Sequence, residues 1–263
     1  KSFLLQQKIT TFANRKRQFM MLFFHHQYKI MNLPLILHIE TSTQVCSVAL
    51  SSGTECVFSK SSEEQGMNHA KLLSGFIAEA MNVLNNDFHS LNALAVSSGP
   101  GSYTGLRIGV STAKGLCFGL DIPLISIGTL DIMAVSALNS VNEKDALLCP
   151  MLDARRMEVY AAVFNTDLEM IQPVAANIVD ERTFNEILKQ NSVYFFGNGM
   201  SKCKPVLQQH ARAHFIDEII PLAENMIPLA LKAYQKKQFV DTAYFEPFYL
   251  KEFQTTVSKK KMF

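Results

Sequence analysis

The amino-acid sequence predicts an α/β protein with two lobes, each built from a mixed β-sheet flanked by helices. The chain has 263 residues, 48% of them hydrophobic, so it can bury the cores of two lobes of roughly 100 to 130 residues each. Short apolar runs of strand length alternate with segments whose apolar residues recur every three or four positions, as in amphipathic helices. Three strands followed by alternating helices and strands occur in the first half and partly recur in the second, which favours two similar units.

The first half begins with three strands joined by short turns, a pattern typical of an antiparallel meander. A helix follows, because the apolar residues between Leu73 and Leu84 are spaced three and four positions apart. The predicted strands are Leu35 to Ile39, Val45 to Ser51, Glu55 to Lys60, Leu91 to Ser97 and Leu124 to Ile127, and the predicted helices are Asn68 to Leu84, Tyr103 to Phe118 and one that opens at Thr129. This order is that of the ribonuclease-H-like unit, in which later strands enter the sheet through helical crossovers.

The second half partly repeats this order and ends in an aromatic-rich tail. Its predicted strands are Ala146 to Leu152, Glu158 to Phe164, Glu169 to Val179 and Val193 to Phe196, with a helix from Glu181 to Lys189 and two further helical stretches after residue 199. Two copies of one unit predict an actin-like, two-lobed fold of the ASKHA type. We place the first lobe at residues 32–138 and the second at 139–253. Residues 1–31 form a disordered or non-native extension in this interpretation, and 254–263 a basic tail.

Positive charge is concentrated at the start of the chain. Six basic residues and no acidic residue precede Met31, and they are Lys1, Lys8, Arg15, Lys16, Arg17 and Lys29. Of the 25 basic residues, 19 remain after these six, against 23 acidic ones, so the body carries about −4 although the whole chain carries +2. The chain after residue 30 therefore lacks the excess of basic residues that is typical of a protein that binds nucleic-acid phosphates without a partner. Residues 1–31 are interpreted as an upstream-translation artefact, with Met31 as the natural start, or as a targeting peptide.

The cysteines and the apolar runs indicate a soluble protein of the cytoplasm. Five cysteines form an odd number without a C-x-x-C pair, which argues against a disulfide framework and a four-thiolate zinc site. The longest apolar runs, such as Phe19 to Phe24 and Leu33 to Leu37, are far shorter than the roughly 20 residues of a membrane-spanning helix. We therefore expect no membrane association.

The glycine-rich segment after the fourth predicted strand is the first candidate binding site. Glycines 99, 101 and 105 allow a tight turn, and Ser102 or Thr104 can cap the following helix, whose first amide groups could bind an anion. The spacing fits neither a Walker A loop nor the Rossmann fingerprint. Packing of small residues against the sheet explains the same glycines equally well. The candidate anion- or nucleotide-binding residues are Thr41, Ser42, Gly99, Gly101, Ser102 and Gly105.

Two acidic or metal-binding positions are weighed against structural interpretations. Glu40-Thr41-Ser42 ends the first strand, at the place where actin-like phosphotransferases hold a metal-bound phosphate. We favour a structural interpretation, in which the Thr41 and Ser42 side chains hydrogen-bond their own backbone in a turn. A lone histidine at a helix start, His69, lacks a second imidazole four residues later and is a poor metal site. We predict no catalytic residue and no metal ligand in this chain.

The turn from Asp153 to Glu158, with Arg155 and Arg156 between these acids, has two interpretations. It is a salt-bridged hairpin, which we favour, or it is a latch between the lobes or a contact to a partner.

Several motifs resemble one family. GPGSYTGLRIGVSTAKGL, beginning at Gly99, is similar to the signature of the TsaB family, and ILHIETSTQVCSVAL, NHAKLLSGFI, PLISIGTLDIMA, MLDARRMEVYAAVF and EPFYLKEF agree with it as well. The resemblance covers roughly Leu33 to Phe253. It implies a non-catalytic subunit that binds and activates TsaD in the complex that transfers threonylcarbamoyl to adenosine 37 of tRNAs reading codons that start with A. The family shows Asp where this chain has Glu40, which casts further doubt on an inherited metal role.

The resemblance also implies partners. The protein partners are TsaD in a heterodimer, TsaE, and a second copy of the chain when it is alone. The chain reaches tRNA only through the complex, and ATP or ADP could bind only at the partner interface. Apolar faces of the first two helices should form the contact, and the candidate interface residues are His69, Leu72, Leu73, Phe76, Arg107, Val110 and Lys114. The alternative is an active actin-fold, nucleotide-dependent carbamoyl or phosphoryl transferase that uses Glu40, and a direct tRNA-binding module is a third interpretation.

Overall fold

A computed structural model describes residues 33–62 and 69–251 of the protein, and the strands of these residues form two five-stranded sheets. The first contains β1 (Leu35–Glu40), β2 (Cys46–Ser52), β3 (Glu55–Ser62), β4 (Ala93–Ser97) and β5 (Leu124–Ile127), and the second contains β6 (Leu147–Asp153), β7 (Glu158–Asn165), β8 (Met170–Ile178), β9 (Val193–Phe196) and β10 (Ala213–Ile216). Their orders, β3-β2-β1-β4-β5 and β8-β7-β6-β9-β10, are equivalent. In each sheet the first three strands are antiparallel and the last two are added in parallel. This duplicated topology confirms the predicted two-lobed, actin-like fold class.

Helices connect and cover these sheets. In the described residues they are α1 (His69–Asn82), α2 (Tyr103–Leu120), α3 (Thr129–Ala137), α4 (Asn185–Gln190), α5 (Met200–Leu207) and α6 (Ile227–Gln235), with 3₁₀ turns at Phe88–Ser90, Leu138–Ser140 and Ala223–Met226. None of these helices has both the length and the apolar content needed to cross a bilayer. The predicted extension, 1–31, and the predicted basic tail, 254–263, lie outside the described residues.

Two elements differ from the sequence prediction. α4 begins at Asn185 instead of Glu181, because the Asp180 carboxylate accepts hydrogen bonds from the backbone N–H groups of Arg182 and Thr183, both at 2.9 Å, and so fixes a turn there. β10 was not predicted as a strand, since its four residues are half-buried at a sheet edge and show no alternating pattern. The other strands and helices with predicted ends lie within two residues of the predicted bounds.

The central strand β1 is buried on both faces, which explains its continuous apolar run. Leu35, Leu37 and Ile39 point into the core beneath α1 and α2. Ile36 points to the opposite face, where α6 covers the sheet through Ala230.

Two helices pack across the division between lobes that we predict at residue 138. α3 follows the first sheet in sequence, but Met133 and Ala134 pack with Leu148 and Phe196 of the second sheet. α6 follows the second sheet and packs on the first, and Val240 then pairs with Leu124 of β5. Each sheet is thus covered in part by a helix that follows the other sheet in sequence.

The apolar faces of α1 and α2 are turned to their own sheet, contrary to the predicted partner contact. Leu73, Phe76 and Val110 are only 1%, 6% and 3% exposed and belong to the core that contains Leu37 and Val48. The helical period identified the apolar side of each helix correctly, but an α/β fold uses that side to cover the sheet. A charge at Leu73 therefore tests folding and does not test an interface.

We expect Leu73→Ala to lower the free energy of unfolding by about 2 to 5 kcal/mol, because it removes a fully buried side chain and leaves a cavity. Leu73→Asp should prevent stable folding. Urea denaturation followed by circular dichroism measures both effects, and Ser74→Ala on the exposed side of α1 is the matched control, with a change of at most about 0.5 kcal/mol. A Leu73→Asp protein that unfolds like the wild type would contradict the packing described here.

Candidate functional site

A cleft of about 560 Å³ lies between the lobes, where β1 and β6 end and α2 begins. The first lobe contributes the β1–β2 turn and the start of α2, and the second contributes the β6–β7 turn. The lining residues are Ser42, Thr43, Gln44, Pro100, Gly101, Ser102, Tyr103, Leu152, Asp153, Ala154, Arg155, Tyr160, Asn198, Phe248, Tyr249, Leu250 and Lys251. A cleft at the carboxyl ends of sheet strands is the usual location of ligand sites in α/β proteins.

Gly101, just before α2, and Gly105, in its first turn, lie against the β1–β2 turn without room for a side chain. A Cβ at Gly105 would be 2.1 Å from the backbone oxygen of Thr41, and one at Gly101 would be 2.3 Å from that of Ser42. Hydrogen bonds fix this contact, since Ser102 N donates to Ser42 O at 2.6 Å and Thr41 Oγ1 donates to Gly105 O at 2.8 Å. Packing therefore accounts for these two glycines.

The six candidate anion-binding residues are brought together, but only three line the cleft. Ser42, Gly101 and Ser102 are at its surface, and Ser102 caps α2 by accepting a hydrogen bond from Gly105 N at 3.3 Å. Thr41, Gly99 and Gly105 do not line the cleft and are buried.

Gly99 needs to be glycine for two reasons. Its φ is +107°, and a Cβ there would be 2.6 Å from the backbone oxygen of Phe248. The turn before α2 is therefore enclosed by the C-terminal part of the chain.

Glu40 is buried beneath the β1–β2 turn and does not line the cleft. Its Oε1 accepts a hydrogen bond from the backbone N–H of Ser42, so the carboxyl closes its own strand-end turn. Burial raises the pKa of Glu40 from 4.5 to about 7, against the opposing effect of hydrogen bonds from Ser42, Ser97 and Thr41. This geometry agrees with the structural interpretation and does not fit a carboxylate that holds a metal-bound phosphate.

The histidines near the cleft have structural contacts. His38 is fully buried on β1, its Nε2 lies 2.9 Å from Ser51 Oγ, and burial lowers its pKa to about 3. His69 is 3% exposed at the start of α1, and its Nε2 lies 3.3 Å from Gln44 O. Within residues 33–62 and 69–251, no three His, Cys, Asp or Glu side chains come together as metal ligands.

The β6–β7 turn contains ion pairs, but its arginines do not form them. Lys202 of α5 pairs with Asp153 and also donates to Glu158 O at 2.6 Å, and Lys251 pairs with Glu158. Arg155 takes part through its backbone: its N–H donates to Asp153 Oδ1 at 3.0 Å, and its oxygen accepts from Glu158 N at 3.1 Å. Sequence reasoning missed both lysines, since they are 49 and 93 residues away from their acidic partners and no local pattern marks them.

Residues 240–251, which we call the C-terminal strap, hold the two lobes at this site. Lys114 of α2 donates to the backbone oxygens of Ala243 and Phe245 at 3.1 and 2.9 Å, and Phe248 N donates to Ser98 O at 2.7 Å. The ring of Tyr249 lies 5.1 Å from that of Tyr103. Because Lys251 then pairs with the second lobe, the strap spans the cleft and forms one of its walls.

The duplicated sheets and the cleft between them define an actin-like, two-lobed protein. A Pseudomonas aeruginosa protein described as similar to the peptidase YeaZ has this fold, with a TM-score of 0.73 and 24% identity over 83% of this chain and 100% of that one. Residues 59–258 match the family model of TsaD, described as tRNA N6-adenosine threonylcarbamoyltransferase.

Sequence similarity to two bacterial proteins identifies the family. The chain is 30% identical over 222 residues to the Escherichia coli tRNA threonylcarbamoyladenosine biosynthesis protein TsaB, covering 82% of this chain and 94% of that protein. It is 28% identical to the Haemophilus influenzae protein of the same name, covering 82% and 93%. The protein therefore belongs to the TsaB family, as the sequence motifs predicted.

We expect Gly105→Ala to destabilise the protein by about 1 to 3 kcal/mol, because the added methyl group meets the Thr41 carbonyl. Gly115→Ala on the same helix meets no atom of the described residues within 4 Å and should stabilise the protein by about 0.5 to 1 kcal/mol, the usual gain of alanine over glycine in a helix. Thermal denaturation of the two variants compares them directly. Equal effects of both substitutions would show that the close packing of α2 is absent.

The raised pKa of Glu40 predicts a pH-dependent stability difference between the wild type and Glu40→Gln. The unfolded chain releases the Glu40 proton near pH 4.5, whereas the folded protein keeps it up to about pH 7. The stabilisation from protonated Glu40 is complete below pH 4.5 and is lost as the pH rises to about 7. The free energy of unfolding of the wild type relative to Glu40→Gln should therefore fall by on the order of 3 kcal/mol over this range.

Urea titrations of both proteins at several pH values measure this difference. His38 contributes with the opposite sign, since its lowered pKa costs stability as the pH falls below 6.5, but it is present in both proteins and cancels. A difference that stays constant with pH would rule out a protonated, buried Glu40.

Proposed function

We propose that the protein is a non-catalytic subunit in tRNA threonylcarbamoyladenosine biosynthesis, which binds and activates a TsaD-type protein. Membership of the TsaB family supports the pathway. The observation that carries the non-catalytic role is the burial of Glu40 behind its own turn, at the position where an active actin-like enzyme would use an exposed carboxylate. Packing of Gly101 and Gly105 against the same turn supports this role.

The outward sides of α1 and α2 are the surface we assign to the partner. Among the candidate interface residues, Arg107 is exposed and Leu72 and Lys114 are half-buried, whereas the others are buried. The exposed residues of the two helices are mostly small, including Gly75, Ala78, Ser111, Gly115 and Gly119, and Phe118 is 87% exposed. A partner that matches the same family model can present equivalent helices, and small side chains allow close helix contact.

The remaining partner and location predictions follow from the resemblance and stay predictions. They are TsaE, self-pairing of the isolated chain, access to tRNA only through the complex, and a cytoplasmic location.

The rival function is an active nucleotide-dependent carbamoyl or phosphoryl transferase. It requires Glu40 to reach a metal-bound phosphate, and the buried carboxyl that bonds Ser42 N does not support this. Turnover by the purified chain with magnesium or iron, a nucleotide and threonylcarbamoyl-adenylate, in the absence of a TsaD-type protein, would favour the rival.

We expect Ala78→Arg combined with Ser111→Arg to weaken binding to the TsaD-type partner at least about tenfold, because both charges would be buried in the contact without counter-ions. Both residues are exposed, so the isolated chain should keep its wild-type melting temperature. Affinity is measured by titration calorimetry, and stimulation of threonylcarbamoyl transfer to tRNA is assayed in parallel. Lys189→Glu on α4 of the second lobe is the control and should change neither quantity.

Wild-type affinity of the double variant would show that α1 and α2 are not the contact surface. A wild-type chain that neither binds a TsaD-type protein nor stimulates transfer would contradict the proposed function itself.

A further inference from the structure

The β6–β7 turn carries two adjacent arginines in an unfavourable backbone conformation. The φ angles of Arg155 and Arg156 are +73° and +48°, a region that residues other than glycine, asparagine and aspartate seldom adopt. Asparagine or glycine would stand there with less strain. Retained strain of this kind is typical of turns whose side chains serve a site.

The acids of this turn form their ion pairs with lysines from other elements and not with these arginines. The two acids at its base, Asp153 and Glu158, are paired with Lys202 and Lys251. No ion pair found in residues 33–62 and 69–251 includes Arg155 or Arg156. Both arginines are exposed, and Arg155 also lines the cleft, with Arg156 next to it in the chain.

Aromatic side chains lie in the same cleft as Arg155. Tyr103 and Tyr249 form a ring pair on the first-lobe side, and Phe248 and Tyr160 complete the aromatic lining. Guanidinium groups bind phosphate through paired hydrogen bonds, and aromatic rings stack on bases. Cations beside aromatic rings are the combination with which proteins bind unpaired nucleotides of RNA, whereas an acidic protein segment would need no aromatic wall.

We propose that the Arg155–Arg156 turn is an RNA contact, in which the two guanidinium groups bind backbone phosphates of tRNA and the aromatic wall accepts an unpaired base. This inference rests on the proposed function, since it places the contact in the complex with the TsaD-type partner. Because the body carries a net charge of about −4, we expect two phosphate contacts to bind tRNA only weakly without that partner.

The test measures tRNA affinity of the complex between this chain and a TsaD-type protein at several salt concentrations. Arg155→Ala with Arg156→Ala should weaken binding about tenfold or more, and should reduce the slope of log affinity against log salt by roughly 2, one for each lost phosphate contact. Arg155→Lys with Arg156→Lys keeps the charge and should retain most of the slope. Lys189→Ala, an exposed cation on α4, is the matched control and should change neither value.

A further variant separates folding from binding. Arg155→Asn with Arg156→Gly places favourable residues at the two positive-φ positions, so its melting temperature should rise while its tRNA affinity falls as in the alanine variant. Loss of stability in this variant would show that the arginines are structural.

Three other outcomes overturn the inference. If the alanine variant keeps wild-type affinity and salt slope in an intact complex, the turn does not contact RNA, and the proposed function is unaffected. If it fails to bind the TsaD-type protein, the turn is a protein contact. The third outcome uses adenosine monophosphate as a probe. If it competes with tRNA and binds the isolated chain, and if the alanine variant loses as much affinity for it as for tRNA, the cleft is a site for free nucleotides.

Discussion

The contact between the first turns of α2 and the β1–β2 turn is the constraint on which the rest of the structure depends. Gly101 and Gly105 let the helix backbone lie directly on the backbone of Thr41 and Ser42, and hydrogen bonds in both directions hold it there. This position fixes where α2 enters the cleft. It also fixes which side of α2 covers the sheet, so its opposite side is left for solvent or a partner.

The same contact explains the chemistry of the buried acid at the end of β1. Because α2 and its turn cover this strand end, Glu40 has no path to the cleft, and its carboxyl bonds the backbone of its own turn. Desolvation then raises the pKa of Glu40, which would be an unsuitable property for a carboxylate that has to hold a cation. The packing of α2 on the β1–β2 turn thus also buries Glu40. Both features favour a protein that acts through contacts with other molecules.

Much of this fold can be predicted from the sequence, because strand and helix periods are local properties. β5 and β9 have the predicted bounds, and the glycine segment was correctly placed at the start of a helix. The predicted partner residues were less successful, since Leu73 belongs to the core: periodicity shows which side of a helix is apolar but not what covers it. The Lys202 and Lys251 pairs and the return of α6 to the first lobe could not be predicted, because they join residues far apart in sequence.

α2 and the C-terminal strap connect the partner surface with the cleft. Lys114 ties the strap to α2 at Ala243 and Phe245, the strap encloses Gly99 at the start of the same helix, and Lys251 continues to Glu158 in the second lobe. A partner on the outer side of α2 would therefore contact a helix that is hydrogen-bonded to the strap. The strap in turn forms one wall of the cleft. Since exposed ion pairs contribute little energy, the Lys251–Glu158 pair is the weakest part of this connection, and the glycine contact at the base of α2 is the part that holds the position of the cleft.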